Sequence, residues 1–452
     1  MSEIISKKIS LDPSILRLDG DDRISRSSAL RANVSDLMSK DATRVRNLVA
    51  AVIATCDEVD DDIDRLQERL DGMSVEFELN GHGPELVLHH VPEWVFAHNG
   101  TSRTTRLLSM LMNDIAAPIT SGDFINSRGR ERSLHRGARR SGILGFSNAH
   151  MVTTVFGGHK VPQTEYDFAR QIGAIDAQLG GRMVTGSGSG MMEAPFEGAA
   201  SIYEGQGNHD VPMIGITELA ILAAEAPNKF ITHLLTLPDI EKRMETFLRV
   251  CHRLRVHPGG AGTLEEIMFV LATLLHPKNQ GLHFPVDLVE RVDGQYMPVV
   301  ENYLQTLSRN AIPNGMMNFH HKTPHDYGEY LLGTNPEIDT TSLWRDSSNM
   351  YVPHELVEPF EISFEAMEGL NLHRKDQELW QLCAQLSKFF SALVWLTVKK
   401  PEVLREWQSQ NQVPLVSGDR DLVLATHDLA RSFAQQGRMH LKVPLEEAYR
   451  VE

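Results

Sequence analysis

Val256-His257-Pro258-Gly259-Gly260-Ala261-Gly262-Thr263-Leu264-Glu265-Glu266 reads as the end of a strand, a glycine turn and the first turn of a helix. Gly259, Gly260 and Gly262 leave the backbone amides around Ala261 uncovered, and the helix that follows adds its positive N-terminal dipole. Together these make an anion seat suited to a phosphate. The Thr263 hydroxyl stands beside that seat, and the Glu265 and Glu266 carboxylates lie one step further in. A phosphate cradle next to a carboxylate points to chemistry on a phosphorylated small molecule.

Upstream of this stretch, short apolar strands alternate with helices. Met151–Phe156 predicts a strand ended by Gly157-Gly158-His159, and the next helix carries Phe168, Ile172, Ile175 and Leu179 on one face. Met183–Thr185 leads into Gly186-Ser187-Gly188-Ser189-Gly190 and a helix from about Met191 to Ala200. Met213–Thr217, His233–Leu237 and Phe284–Val289 read as further strands, with a helix from about Asp239 to His252 before the opening stretch. Repeated β-α units of this kind predict an α/β fold, a Rossmann-like, doubly wound parallel sheet. Ligands then belong at the carboxyl ends of the strands, where both glycine loops lie.

The flanks read differently. Residues 1–33 look like an irregular polar arm. Val45, Val49, Val52, Cys56, Val59, Ile63, Leu66 and Leu70 recur in steps of four and three, a heptad seam ending at Gly72. Such a helix either packs lengthwise on its own domain or pairs across a subunit interface. Ser74–Leu79 and Glu85–His90 predict a strand pair, and a helix follows around Arg103–Ile115. SRGRERSLHRGARR (127–140) is a basic run, read as a solvated helix face or as a partner for a phosphorylated ligand or an acidic neighbouring subunit. After about residue 330 the alternation stops. Residues 334–375 hold few regular signals, while Leu379–Leu393 and Leu422–Gln436 predict helices. Three units result: an α+β N-terminal domain (1–145), the Rossmann-like domain (146–330) and a mainly helical C-terminal domain (331–452).

The chain has 452 residues and a formal charge of -16, from 60 acidic and 44 basic residues. That balance argues against a general nucleic-acid binder, which needs a basic face. Cys56, Cys251 and Cys383 lie far apart with no CxxC pair, so neither a zinc knuckle nor a disulfide framework is expected. No run approaches the ~18 apolar residues of a membrane span, and no apolar leader precedes Leu11, so a soluble cytoplasmic protein is expected.

The loop at 186–190 has a strand before it and a helix after it, as in a dinucleotide fingerprint. The third glycine is missing, however. Counted from Gly186 its place is taken by Met191, and from Gly188 by Glu193. A conventional NAD site is not expected. On the helix after Gly262, Leu264, Ile267, Met268, Leu271, Leu274 and Leu275 form one apolar face. Glu266 points nearly opposite, beside Thr263 and Val270, and Glu265 lies on the flank. For either glutamate alone, compensation of the helix dipole is sufficient reason to be there.

Context adds to this. The pattern PGGxGTxxE resembles the LOG family of nucleotide phosphoribohydrolases, Rossmann-like proteins often labelled lysine decarboxylases. FGGHKVPQTEYDFARQIG (156–173), TGSGSGMMEAPFEGAA (185–200), PDIEKRMETFLRVCHRL (238–254), HPGGAGTLEE (257–266) and EPFEISFEAMEGLNL (358–372) resemble its long bacterial members, the nucleotide 5′-monophosphate nucleosidases. The resemblance spans most of the chain and is weakest over the first 70 or so residues. It implies hydrolysis of the N-glycosidic bond of purine and pyrimidine nucleoside 5′-monophosphates to free base and ribose 5-phosphate, without a cofactor or a metal. It carries the catalytic roles onto Arg243 and Glu266. Gly259, Gly260, Ala261, Gly262 and Thr263 then hold the 5′-phosphate. Gly157, Gly158, Gly186, Ser187, Gly188, Gly190 and Glu193 line the nucleotide side. The resemblance also implies a homo-oligomer, with a tetramer favoured, and a guanosine tetra- or pentaphosphate effector. Two rival readings are a phosphoribohydrolase for modified, cytokinin-type adenine nucleotides and a nucleotide sensor with little turnover. No lysine stands out as a pyridoxal anchor, so decarboxylation is not expected.

One departure from the family pattern stands out. The strand before PGG is usually continuously apolar, but here it reads Arg253-Leu254-Arg255-Val256-His257. A central strand buried on both faces does not ordinarily alternate so. Either acidic partners cover one face or the local cleft is altered. His320, His321 and His325, like His89 and His90, are read as chance neighbours without acidic partners at ligand spacing.

Overall fold

The computed structural model describes residues 7–11, 45–53, 72–80, 83–91, 101–116, 127–144, 151–208, 211–334, 344–375 and 377–451. A small antiparallel sheet comes first, from β1 (Lys7–Ser10), β2 (Ser74–Asn80) and β3 (Gly83–His89) in the order β1-β3-β2. β2 and β3 are the expected strand pair, with Ser74 facing His89. β1 corrects the reading of residues 1–33 as wholly irregular. Helix α1 (45–53) buries Val45, Leu48, Val49, Val52 and Ile53 in one apolar cluster with residues of this sheet. The rest of the heptad seam, Cys56 to Leu70, lies outside the described residues.

Helices α2 (Thr101–Ala116) and α3 (Ser127–Arg140) lead into the main sheet. Its strands are β4 (Val152–Phe156), β5 (Arg182–Thr185), β6 (Ile214–Glu218), β7 (His233–Leu237), β8 (Arg253–Val256), β9 (Val286–Glu290) and β10 (Asn318–His321). They run in the order β10-β9-β8-β4-β5-β6-β7, and every neighbouring pair is parallel. The outer strand β7 is covered by α2, whose Asp114 accepts a 2.8 Å bond from the Thr236 amide. A strand edge covered in this way has fewer backbone groups open to another chain. Among the described residues no helix is long and apolar enough to cross a membrane.

Helices cover both faces. On one lie α4 (Gln163–Gln178) and α5 (Ala194–Gly205), joined later by α10 (Pro324–Thr334). On the other lie α7 (Ile240–Arg249), α8 (Ala261–Leu274) and α9 (Tyr296–Ser308). The short α6 (Leu219–Ala224) follows β6. On α4 the predicted face holds for Phe168, Ile172 and Ile175, but Leu179 caps the helix and is 36% exposed. α4 and α5 meet backbone to backbone: a Cβ on Gly198 would sit 1.8 Å from the Arg170 carbonyl oxygen. Gly198→Ala is therefore expected to force the helices apart and destabilise the fold by about 1–3 kcal/mol, read as an earlier denaturant midpoint.

The C-terminal region forms a further layer. α11 (Leu379–Val394) lies on α8, α12 (Pro401–Ser409) follows, and α13 (Arg420–Gln435) lies on α9. It is not purely helical, because β11 (Asn371–Leu372), β12 (Leu415–Gly418) and β13 (Arg450–Val451) pair in parallel. The outward face of α8 is thus covered as well: Thr263, Phe269, Val270 and Ala272 are buried together with the apolar stripe.

The basic strand β8 resolves into two faces. Leu254 and Val256 join the main core. Arg255, fully buried, pairs with Asp176 of α4, Nη2 to Oδ1 at 3.0 Å, and donates to the Tyr327 hydroxyl at 3.2 Å. Arg253 faces Asp287 of β9 at 3.3 Å, with the Tyr330 ring 5.8 Å from its guanidinium carbon. Acidic coverage, the first of the two alternatives, is what the fold uses. The basic run on α3 likewise has an acidic partner within the chain. Arg130 is buried and bonds Glu245 at 2.7 Å, and Glu245 also holds Arg249 at 2.7 Å. For Arg130 this replaces both a solvated face and an external ligand. The histidine reading also needs correction. His320 lies 3.3 Å from Asp287 and His321 3.3 Å from Glu290. His325, Asp326 and Glu329 form an exposed group on α10.

Candidate active site

β4 and β8 are neighbours from which the chain winds outward in opposite directions, so a crevice opens beyond their carboxyl ends. Three loops meet there. Gly158 donates its amide to the Pro258 carbonyl at 2.9 Å, and the Met191 amide donates to the Gly158 carbonyl at 2.9 Å. There is no room for side chains between them. A Cβ on Gly158 would come within 3.0 Å of the Gly259 Cα, and one on Gly157 within 2.5 Å of the Met191 Cβ. Gly190, at φ +67°, presses on the His159 carbonyl.

The glycine turn after β8 has the features of an anion seat. Gly260 caps α8 with no side-chain hydrogen bond to the first amides, which leaves them for a ligand. Thr263 is buried with its hydroxyl against Gly259, Ala261 is buried, and Gly262 faces open space. Gly260 meets the Arg438 carbonyl from the C-terminal layer. The neighbouring loop is clamped from another direction. Asn228 donates its amide to the Ser187 carbonyl at 2.7 Å and its side-chain nitrogen to the Ser187 and Gly188 carbonyls at 2.9 Å. Ser187 itself is held at φ +73°. Beside Gly188, His159 pairs with Glu225 at 3.0 Å and contacts the Ser189 hydroxyl at 3.1 Å. Glu193, half-buried before α5, acts electrostatically on Tyr166.

Arg243 comes from α7, whose start is fixed by Asp239 accepting from the Lys242 amide. Its guanidinium is buried, donating from Nε to the Ile216 carbonyl at 3.1 Å and from Nη2 toward the Gly186 carbonyl at 3.5 Å. It thus ties the middle of β6 to the glycine loop and faces both glutamates of α8. Burial raises the Glu266 carboxyl to about 8. Arg243 works against that rise, and Glu265 adds to it. Burial also raises Glu265 to about 7, opposed first by Lys399 and a hydrogen bond to Ser391. Those partners belong to the C-terminal layer, and the Glu265 carbonyl accepts from Ser387 of α11 at 3.1 Å. Glu265 lines a cavity of about 20 Å³ with Glu241 and Lys388, room for roughly one water molecule. The two neighbouring carboxylates are therefore unequal. Glu265 is engaged by the C-terminal layer, while Glu266 has Arg243 as its cationic neighbour.

The fit of Gly186 to Arg243 can be tested. A Cβ there would lie 2.2 Å from the Arg243 Nη2, a flexible side-chain end that yields without unfolding the protein. Gly186→Ala is expected to keep its thermal stability and lose about 10²-fold in rate, because the guanidinium moves by an ångström or so.

Three proteins of Escherichia coli, from strains K12, O6:H1 and O157:H7, are each 33% identical to the chain over 325 residues, covering 68% of it and 68% of each of them. Each is named pyrimidine/purine nucleotide 5′-monophosphate nucleosidase. The chain belongs to this family. A model of the C-terminal part of the pyrimidine/purine nucleotide monophosphate nucleosidases matches residues 339–452. A family described as "possible lysine decarboxylase" matches residues 192–325. Among solved structures, the molybdenum cofactor binding protein of Rippkaea orientalis is similar over 41% of the chain and 96% of its own length, at 18% identity and a TM-score of 0.30. The molybdenum cofactor carrier protein of Chlamydomonas reinhardtii is similar over 42% and 99%, at 15% identity and a TM-score of 0.28.

In this member of the nucleosidase family the fold brings Arg243, Glu266, the 259–263 turn and the 157–158 and 186–190 loops to one crevice. Several residues there carried no sequence signal: Asn228, Glu225 and Arg438 arrive from loops or from the far end of the chain. His159 was visible only as a strand terminator.

Proposed function

We propose that the chain hydrolyses the N-glycosidic bond of purine and pyrimidine nucleoside 5′-monophosphates, giving free base and ribose 5-phosphate. The observation that carries this is the buried Arg243 facing Glu266, one helical turn inside an uncapped glycine turn. The 5′-phosphate sits on Gly259–Thr263, which fixes the sugar relative to the carboxylate. As the C1′–N bond breaks, the base leaves with the bonding pair and takes up a proton from solvent, and positive charge builds on the ribose ring. Ionised Glu266 stabilises that charge and takes a proton from the water that attacks C1′. Arg243 holds the Glu266 side of the cleft and the Gly186 loop in register. Gly157, Gly158, Gly186, Ser187, Gly188, Gly190 and Glu193 line the nucleotide side.

The proposal extends to organisation. It divides the chain into units at 1–145, 146–330 and 331–452, assembled as a cytoplasmic homo-oligomer, a tetramer, with a guanosine tetra- or pentaphosphate as effector. The activity is tested by incubating the purified protein with AMP, GMP, CMP, UMP and isopentenyl-adenosine monophosphate and measuring base release. Release from the four ordinary nucleotides is expected. Release from the modified nucleotide alone would move the assignment to cytokinin-type substrates. Tight binding with no release would make the protein a sensor.

A further inference from the structure

Helix α9 starts beyond the carboxyl end of β9, next to the glycine turn that follows β8. Glu290, the last residue of β9, fixes that start by accepting from the Tyr296 and Met297 amides at 3.1 and 2.9 Å. Tyr296 is completely buried. Its ring stacks on Phe433 of α13, with centroids 5.3 Å apart and planes 24° from parallel. The Arg438 guanidinium carbon lies 5.0 Å from its ring centre. Arg438 is itself committed to Glu165 through bonds of 2.9 and 2.6 Å. The ring is thus clamped, and its hydroxyl is directed at the seat, against the Gly259 backbone and within the field of Glu266.

That hydroxyl makes no well-formed hydrogen bond. The Gly259 amide near it is a donor, so the phenolic proton is left without an acceptor. Leaving a buried hydroxyl unpaired is costly, and folded proteins ordinarily avoid it. An orphan beside a glycine turn whose own amides lack a side-chain cap needs an acceptor, and a phosphate oxygen is one. Burial keeps the phenol protonated well above its ordinary range, so the group acts as a neutral donor.

We propose that Tyr296 is a positioning residue that donates its hydroxyl proton to an oxygen of the 5′-phosphate on Gly259–Thr263. The inference rests on the phosphate-seat reading above. It assigns α9 and the C-terminal layer a share in holding the substrate, because Phe433 and Arg438 fix the ring.

The test compares wild type with Tyr296→Phe, which keeps the ring and removes only the oxygen. Calorimetric titration with ribose 5-phosphate and with ribose separates the phosphate contact from the sugar contacts. The variant is expected to bind ribose 5-phosphate roughly ten-fold more weakly, with ribose binding unchanged. KM for AMP should rise by a similar factor at nearly constant kcat, and thermal stability should be kept or raised. Equal ribose 5-phosphate affinity in the two proteins would overturn the inference while leaving the nucleosidase reading intact. So would a fall in kcat with unchanged KM. Wild type that binds ribose 5-phosphate no better than ribose would overturn the phosphate-seat reading and this inference together.

Discussion

Glu266→Gln is expected to lose about 10²–10⁴-fold in base release while becoming more stable than wild type at alkaline pH. The two effects share one cause. The carboxyl is raised from 4.5 to about 8, chiefly by burial, so the folded protein holds this proton when the unfolded chain has already released it. Stability is undiminished by this group below about pH 4.5. It falls as pH rises toward 8 and is lowest above that. Glutamine removes the penalty, with a gain on the order of 2–4 kcal/mol at pH 8 and almost none below pH 4.5. Catalysis has the opposite dependence, because the proposed role needs the carboxylate. Wild-type kcat/KM should therefore climb with pH through a midpoint near 8, a limb absent from the variant. Denaturant melts at pH 4.5 and 8, together with a pH–rate profile, check both halves. A Glu266→Gln enzyme within ten-fold of wild type would remove Glu266 from the mechanism.

Asp176→Ala is expected to cost on the order of 3–5 kcal/mol, although it lies beneath the sheet rather than in the crevice. It would leave the Arg255 guanidinium buried beside the Tyr327 hydroxyl and without its carboxylate. Converting the pair to well-packed apolar residues, Asp176→Leu with Arg255→Met, should recover most of that loss, because both desolvated charges then disappear together. Denaturant titration of the single and double variants gives the comparison. Similar stabilities for the single variant and wild type would show that the ion pair contributes little.

The sheet was legible where β-branched and apolar residues run together, as in Val152–Phe156 and His233–Leu237. It was not legible at β10, whose Asn318-Phe319-His320-His321 looks like a loop. There the polar side chains are satisfied from the adjoining strand, with Asp287 accepting from Asn318 at 3.1 Å. The same aspartate faces Arg253, so two residues that looked foreign to a sheet have a common partner distant in sequence. The site divides along similar lines. The glycine turn follows from local spacing, and the choice of Glu266 over Glu265 rests on helical projection together with the family resemblance. The groups that engage Glu265, Ser391 and Lys399, lie more than a hundred residues away. Projection gives no sign of what covers the far side of α8, because a layer built from residues 379–435 has no local signature in residues 261–274.

That covered far side has a practical consequence. α11 packs on α8, whose Phe269, Val270 and Ala272 are buried, and the Arg438 carbonyl stands against Gly260, so removing the C-terminal layer would strip cover from both the helix and the glycine turn. A fragment trimmed to the parallel sheet and its own helices would display a greasy stripe beside a half-built pocket. Such a fragment is poorly suited to expression or crystallisation, whereas constraints placed near Arg438 would be felt directly at the glycine turn.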